Sequence, residues 1–185
     1  MRSKSLLIIP LCLLVPVAYA AIQWTMQPRQ SELVFIATQA GAQFEGKFEK
    51  FTADIRFDPK DLTGSRFDVT IDMASVNTRD GERDQILKGE DLFAVKQYPT
   101  ARYVADKFID KGKGQYSAPG RLTLRDVTKE VPIEFTFTED PSGAWLKGTA
   151  TLKRLDFGVG QGDWKDTQTV ANEVKVRFAL LLNKG

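Results

Sequence analysis

The chain has 185 residues, with 26 basic and 24 acidic side chains, one cysteine and no histidine. Without histidine or a second cysteine it holds no Ser-His-Asp or Cys-His nucleophile system, no zinc site of ordinary type, and no iron–sulfur cluster or His-ligated haem. Its near-balanced charge argues against a nucleic-acid binder, which carries a basic excess.

The N-terminus reads as a targeting segment. Arg2 and Lys4 form a basic start, Leu6 to Val17 is apolar, and Ala18-Tyr19-Ala20 is an A-x-A cleavage signature. The apolar run is shorter than the ~20 residues a membrane span needs, and Pro10 and Pro16 weaken it as a helix. Residues 1–20 are therefore expected to be a cleaved signal peptide and residues 21–185 one domain in the periplasm or outside the cell. Cleavage removes Cys12, Arg2 and Lys4, leaving 24 basic against 24 acidic residues. No disulfide can form, so a core must supply the stability.

Most of the remaining chain alternates apolar and polar, the mark of half-buried strands. Ser31 to Ala40 is the first such run, and Gln43 to Phe57 the second. In the second, Phe44 and Phe48 share one parity while Phe51, Ala53, Ile55 and Phe57 share the other. The switch predicts a bulge or bend between Phe48 and Phe51. A turn at Asp58 to Gly64 leads into a strand over Phe67 to Met73. The helix candidate is Arg79 to Lys88, with Ile86 and Leu87 as its apolar contacts; Gly81 makes it weak alone. Further strands are predicted over Arg102 to Phe108, Tyr116 to Leu124, Glu130 to Thr138, Trp145 to Lys153 and Glu173 to Leu182. The hairpin after Tyr116 turns at Arg125 to Lys129.

About eight strands joined by short loops, with one apolar parity throughout, favour a closed antiparallel barrel over a two-sheet sandwich, because closure removes exposed edges. Such a barrel is the size that either fills with side chains or holds one small ligand. The strand acids Asp68, Asp72 and Glu134 fall on the polar parity. This argues against a hydrolase using inward-facing paired carboxylates. No enzyme, no catalytic residue and no metal are expected.

Several motifs in fixed order carry a resemblance. They are Phe44 to Phe48 (FEGKF), Ile55 to Pro59 (IRFDP), Asp68 to Asp72 (DVTID) and Ser75 to Thr78 (SVNT). Arg83-Asp84 with Leu87, Asp91-Leu92-Phe93, Tyr98 to Ala101 (YPTA) and Gly120 to Lys129 (GRLTLRDVTK) continue the series. Together they resemble the YceI family over essentially the whole chain after residue 20. The resemblance implies an all-β, eight-stranded, lipocalin-like barrel with one short helix. It also implies an elongated apolar cavity for an isoprenoid or similar long-chain lipid, an exported location, frequent dimers and no catalysis. No cofactor is expected other than such a lipid. Gln30-Ser31 and the Gln39 to Gly41 stretch stand where many members carry histidines, so ligand contacts made by those histidines are not expected here. Ala37 to Ala42 and Phe157 to Trp164 resemble a subgroup associated with membrane b-type cytochromes, which by analogy suggests a quinone-like ligand.

The candidate cavity residues are Phe35, Phe48, Phe57, Phe67, Val69, Ile71, Met73, Phe93, Tyr103, Phe135, Phe137 and Phe178. Periodicity alone reads the inward strand residues equally well as a packed core. Arg83 and Asp84 read either as contacts to a polar headgroup at the mouth or as an ion pair fixing the helix as a lid. Gly158-Val159-Gly160-Gln161-Gly162 lacks the strand–loop–helix setting of a phosphate loop. It reads as a rim loop, with Trp164 over a cavity entrance. The functional alternatives are an exported carrier of an isoprenoid or quinone-like lipid and a ligand-free module serving a membrane b-type cytochrome.

Overall fold

A computed structural model describes residues 21–185; the expected signal peptide lies outside the described residues. Twelve strand segments form one antiparallel sheet: β1 (Gln23–Met26), β2 (Glu32–Gln39), β3 (Ala42–Phe48), β4 (Phe51–Arg56), β5 (Arg66–Asp72), β6 (Val76–Asn77), β7 (Thr100–Ala105), β8 (Ile109–Gly112), β9 (Gln115–Leu124), β10 (Val127–Asp140), β11 (Gly143–Lys153) and β12 (Glu173–Lys184). They join end to end into eight barrel strands. β1 and β2 run together along β12, from Trp24 opposite Lys184 to Ile36 opposite Lys175. The break between them is one 3-10 turn, Pro28–Gln30. Likewise β3 and β4 continue one another beside β1–β2, and β5 and β6 beside β3–β4. Because β1 pairs with both β4 and β12, the sheet closes on itself.

The predicted bend falls at Glu49-Lys50. There the ladder is replaced by bonds from Glu49 N to Ser75 O (3.1 Å) and from Lys50 N to Ser75 Oγ (3.0 Å). The β9–β10 hairpin turns through Arg125 and Asp126 at φ of 50° and 62°, the left-handed pair that matches the twist of a two-residue hairpin. β1 and β8 were not legible as strands, being four residues each. The helix α1 spans Gly81–Lys88, two residues later than the pattern suggested. Asp80 stands outside it as the N-cap, accepting from Glu82 N and Arg83 N at 3.1 Å each.

The lower half of the barrel is packed shut. Phe57 is its hub, with ring centroids 4.8 Å from Phe137, 5.1 Å from Tyr116, 5.5 Å from Phe108, 5.6 Å from Phe135 and 5.7 Å from Phe67. Most of these contacts are edge-to-face, the arrangement favoured by the ring quadrupoles. Trp24 adds its ring to Phe137 at 5.2 Å and donates its indole N–H to Phe57 O at 2.9 Å. The buried indole is therefore satisfied.

The outer face carries one well-built ion cluster. Asp68 accepts from Arg102 Nε (2.7 Å) and Nη2 (2.5 Å) and from Arg66 Nη2 (3.0 Å). These donors, Arg102 first, hold its carboxyl below the usual range. A carboxyl with a lowered folded-state pKa contributes stability above its unfolded value of about 3.9, and that contribution is lost as pH falls. Asp68→Asn is expected to cost about 1 kcal/mol at pH 7, because Arg102 is largely exposed. The difference from the parent protein should shrink as pH drops below about 4. Urea titrations at neutral and acidic pH check this; an equal difference at both would contradict it.

Candidate functional site

The upper half of the barrel is hollow. A cavity of about 450 Å³ runs from the floor at Ile55, Phe67 and Leu146 up to α1 and the loop between β11 and β12. Side-chain size along each strand explains where it lies. The inward residues of β10 are Val131, Ile133, Phe135 and Phe137 in order. The first two line the cavity, while the two phenylalanines belong to the packed floor. On β12, Val174 and Val176 line the open part and Leu182 is fully buried in the floor.

Backbone glycines widen the upper barrel further. The ring of Phe35 lies over Gly46, its partner across β2–β3, and the ring of Tyr103 lies over Gly120. A β-carbon at either glycine would overlap the ring, so glycine is what lets both rings lie flat on the wall. The Tyr103 hydroxyl sits 3.3 Å from Ala118 O and 3.2 Å from Val131 O, and burial pushes its pKa upward. It is anchored to the wall and is not poised for proton transfer.

Of the residues expected to line a cavity, Phe35, Phe48, Phe67, Val69, Ile71, Met73, Phe93, Tyr103, Phe178, Arg83 and Trp164 do so. Phe57, Phe135 and Phe137 do not; they form the floor beneath it. Asp84 is also off the cavity. Its Oδ1 accepts from Thr78 N (2.8 Å) and Thr78 Oγ1 (2.7 Å), pinning α1 to the end of β6. The helix is thus held by hydrogen bonds to Thr78, and neither Arg83 nor Asp84 makes the expected helix-to-strand ion pair among the described residues. Arg83 instead pairs with Asp80 at 3.2 Å and lies 4.4 Å over the ring of Phe44.

Hydrogen bonds tie the parts of the rim together. Gly160 N and Gln161 N both donate to Asp91 O at 2.8 Å, joining the glycine-rich rim loop to the segment after α1. Arg125 reaches the same segment, donating to Glu90 O (2.9 Å) and to Leu92 O. Val159, Trp164 and Val170 face the lumen from the loop, and Ile86 and Leu87 from the helix. Ile86 is 40% exposed, the consequence of an apolar side chain sitting at an opening.

Sequence reasoning missed Leu122, Leu124, Ala150 and the smaller aliphatics of β10 and β12 because it favoured aromatics, and it used Phe44 only as a marker of strand parity. It also left out of the cavity Arg154, just past the end of β11, and Gln39 of β2, which it noted only as standing at a family histidine position. Arg154 is 4% exposed and burial lowers its pKa. Nothing in the pattern signals its burial, since an arginine at a strand end is ordinarily solvated. The acids at the mouth are Asp80, already committed as a cap, and the exposed Glu82.

This arrangement, an apolar tube with polar groups only near one end, is chemically a container. Its fold has known counterparts. BcnA of Burkholderia cenocepacia superposes with a TM-score of 0.81 at 32% identity, over 84% of this chain and 98% of that one. A polyisoprenoid binding domain from Saccharophagus degradans shares the fold, with a TM-score of 0.69 at 14% identity over 89% of this chain and 99% of its own. A UPF0312 protein of Vibrio parahaemolyticus is 32% identical over 151 residues, 76% of this chain and 80% of that protein. Residues 24–182 match the YceI-like domain, and the chain belongs to that family.

Proposed function

We propose that this protein is an exported binding protein that holds an isoprenoid or quinone-like long-chain lipid in its barrel. The observation that carries the reading is the cavity: about 450 Å³, closed below by aromatic packing and lined almost throughout by aliphatic and aromatic side chains. Cavities of about 300–1,000 Å³ with few polar groups are the usual form of small-molecule sites. Each methylene buried there gains about 0.8 kcal/mol, so an apolar tail needs little else to bind. The polyisoprenoid binding domain of S. degradans, with the same fold, supports an isoprenoid as the class. Export rests on the basic-apolar-AYA start of the chain, and the quinone on the likeness to the cytochrome-associated subgroup. The alternative, a ligand-free module for a b-type cytochrome, is best served by a filled barrel, and the lumen is open.

Organic extraction of the natively produced protein, followed by mass spectrometry, tests the reading. One prenyl species near one equivalent per chain is expected. Heterogeneous traces far below stoichiometry would count decisively against it.

A further inference from the structure

The tube is apolar, yet one wall near its mouth holds a buried cation. Arg154 begins the 3-10 turn Arg154–Phe157 that follows β11 and leads into the rim loop. Its Nε donates to Ala171 O (3.0 Å), Nη1 to Val159 O (2.9 Å) and Nη2 to Val170 O (2.6 Å). A guanidinium has five N–H groups. Three are engaged, and the other two have no acceptor among the described residues. Nor does Arg154 make an ion pair among them. A cation buried without a counter-charge is costly, and three carbonyls offset this only in part.

A second polar side chain lines the same cavity. Gln39 ends β2, is half-buried, lines the same cavity and makes no side-chain hydrogen bond among the described residues. Its backbone bridges to Val170, the residue whose carbonyl Arg154 holds. Val170 therefore links the two: its carbonyl accepts from Arg154 and its backbone bridges to Gln39. Trp164 and Val159 of the same loop also face the lumen.

We propose that Arg154 and Gln39 form a headgroup subsite that selects lipids with an oxygen acceptor at the head, either a phosphate or a quinone carbonyl. This rests on the lipid-binding reading above and makes it more specific. The free guanidinium N–H groups and the Gln39 amide donate to the head, and the tail runs down past Val176 and Ile133 toward Leu146. Arg83, already paired with Asp80 and stacked on Phe44, is left to the lid. The subsite recognises the head under the rim loop, so a lipid is taken head-up and tail-down.

The test uses the purified, delipidated protein and three defined probes: geranylgeranyl monophosphate, a quinone with a short prenyl tail, and the head-less hydrocarbon phytane. Quenching of tryptophan fluorescence reads binding. At least one oxygen-headed probe is expected to bind about tenfold or more tighter than phytane. Rising salt should weaken the phosphate arm and spare the quinone arm, which separates the two sources of the chemistry. Gln39→Leu should cut the preference several-fold; Arg154→Lys should abolish most of it. Gln39→Leu decides the matter if Arg154→Lys loosens the rim loop. Three probes binding within twofold of one another, or a preference unmoved by Gln39→Leu, would overturn the subsite while leaving lipid binding intact. Binding of none of the three would instead bring down the lipid-binding reading and the subsite with it.

Discussion

Ala150→Trp is expected to abolish lipid binding while leaving the barrel folded. Ala150 lies between Leu146 and Leu152 on the inward face of β11, opposite Ile133 and Val176, and it contacts both the floor and the upper cluster. It lines the cavity at its waist. An indole there has open space to enter, unlike one inserted into a packed core, where overpacking costs about 1–3 kcal/mol. It displaces about four ligand methylenes at ~0.8 kcal/mol each. That is ~3 kcal/mol, or a loss of affinity of more than about a hundredfold. Titration with a prenyl probe, beside a thermal melt, reads both halves. Unchanged affinity with an unchanged melt would show that the lumen is not where the lipid sits.

Phe57→Ala is expected to have the largest effect on stability, and little on binding where the protein remains folded. Phe57 is fully buried and touches five other aromatic rings in the floor. Removing a ring from such a site costs about 3–5 kcal/mol, because the surrounding rings cannot collapse into the space. For a domain of this size that is a fall in Tm of roughly 10 °C. The ring does not line the cavity, so affinity for a lipid measured well below the melt should stay within a few-fold of the parent. The two substitutions therefore act in opposite ways: Ala150→Trp removes binding and keeps stability, and Phe57→Ala removes stability and keeps binding. If Phe57→Ala instead lost lipid as completely as Ala150→Trp, the division into floor and cavity would be wrong.

That division is what the alternating pattern could not express. Period two separates inward from outward residues, and it does so correctly along β10, where Val131, Ile133, Phe135 and Phe137 are buried and Pro132, Glu134 and Thr136 are exposed. It gives all four inward residues the same status. Which pair packs and which pair lines space depends on height along the barrel axis, and height depends on the register with neighbouring strands, whose partners, such as Tyr116 for Phe135 and Ala150 for Ile133, lie well apart in sequence. Phe57, Phe135 and Phe137 share their parity with cavity residues and differ from them only in level. Asp84 and Arg83 show the same limit on the helix. They are adjacent in sequence, yet one is turned to Thr78 and the other to Phe44 and Asp80.

What the sequence determined by itself was the barrel: the inward parity of each long strand, the bend between Phe48 and Phe51, a hairpin turning within Arg125 to Lys129 and a short helix before Gly89. Each follows from interactions between near neighbours in the chain, so local order in the sequence suffices to reveal it. Only the tertiary structure decided that the lower half is filled and the upper half open, because that depends on which ring sizes meet at one level. It alone made Gly46 and Gly120 the seats of Phe35 and Tyr103. It alone buried Arg154 and tied it, through the carbonyl of Val170, 16 residues further along the chain, to the residue whose backbone bridges to Gln39.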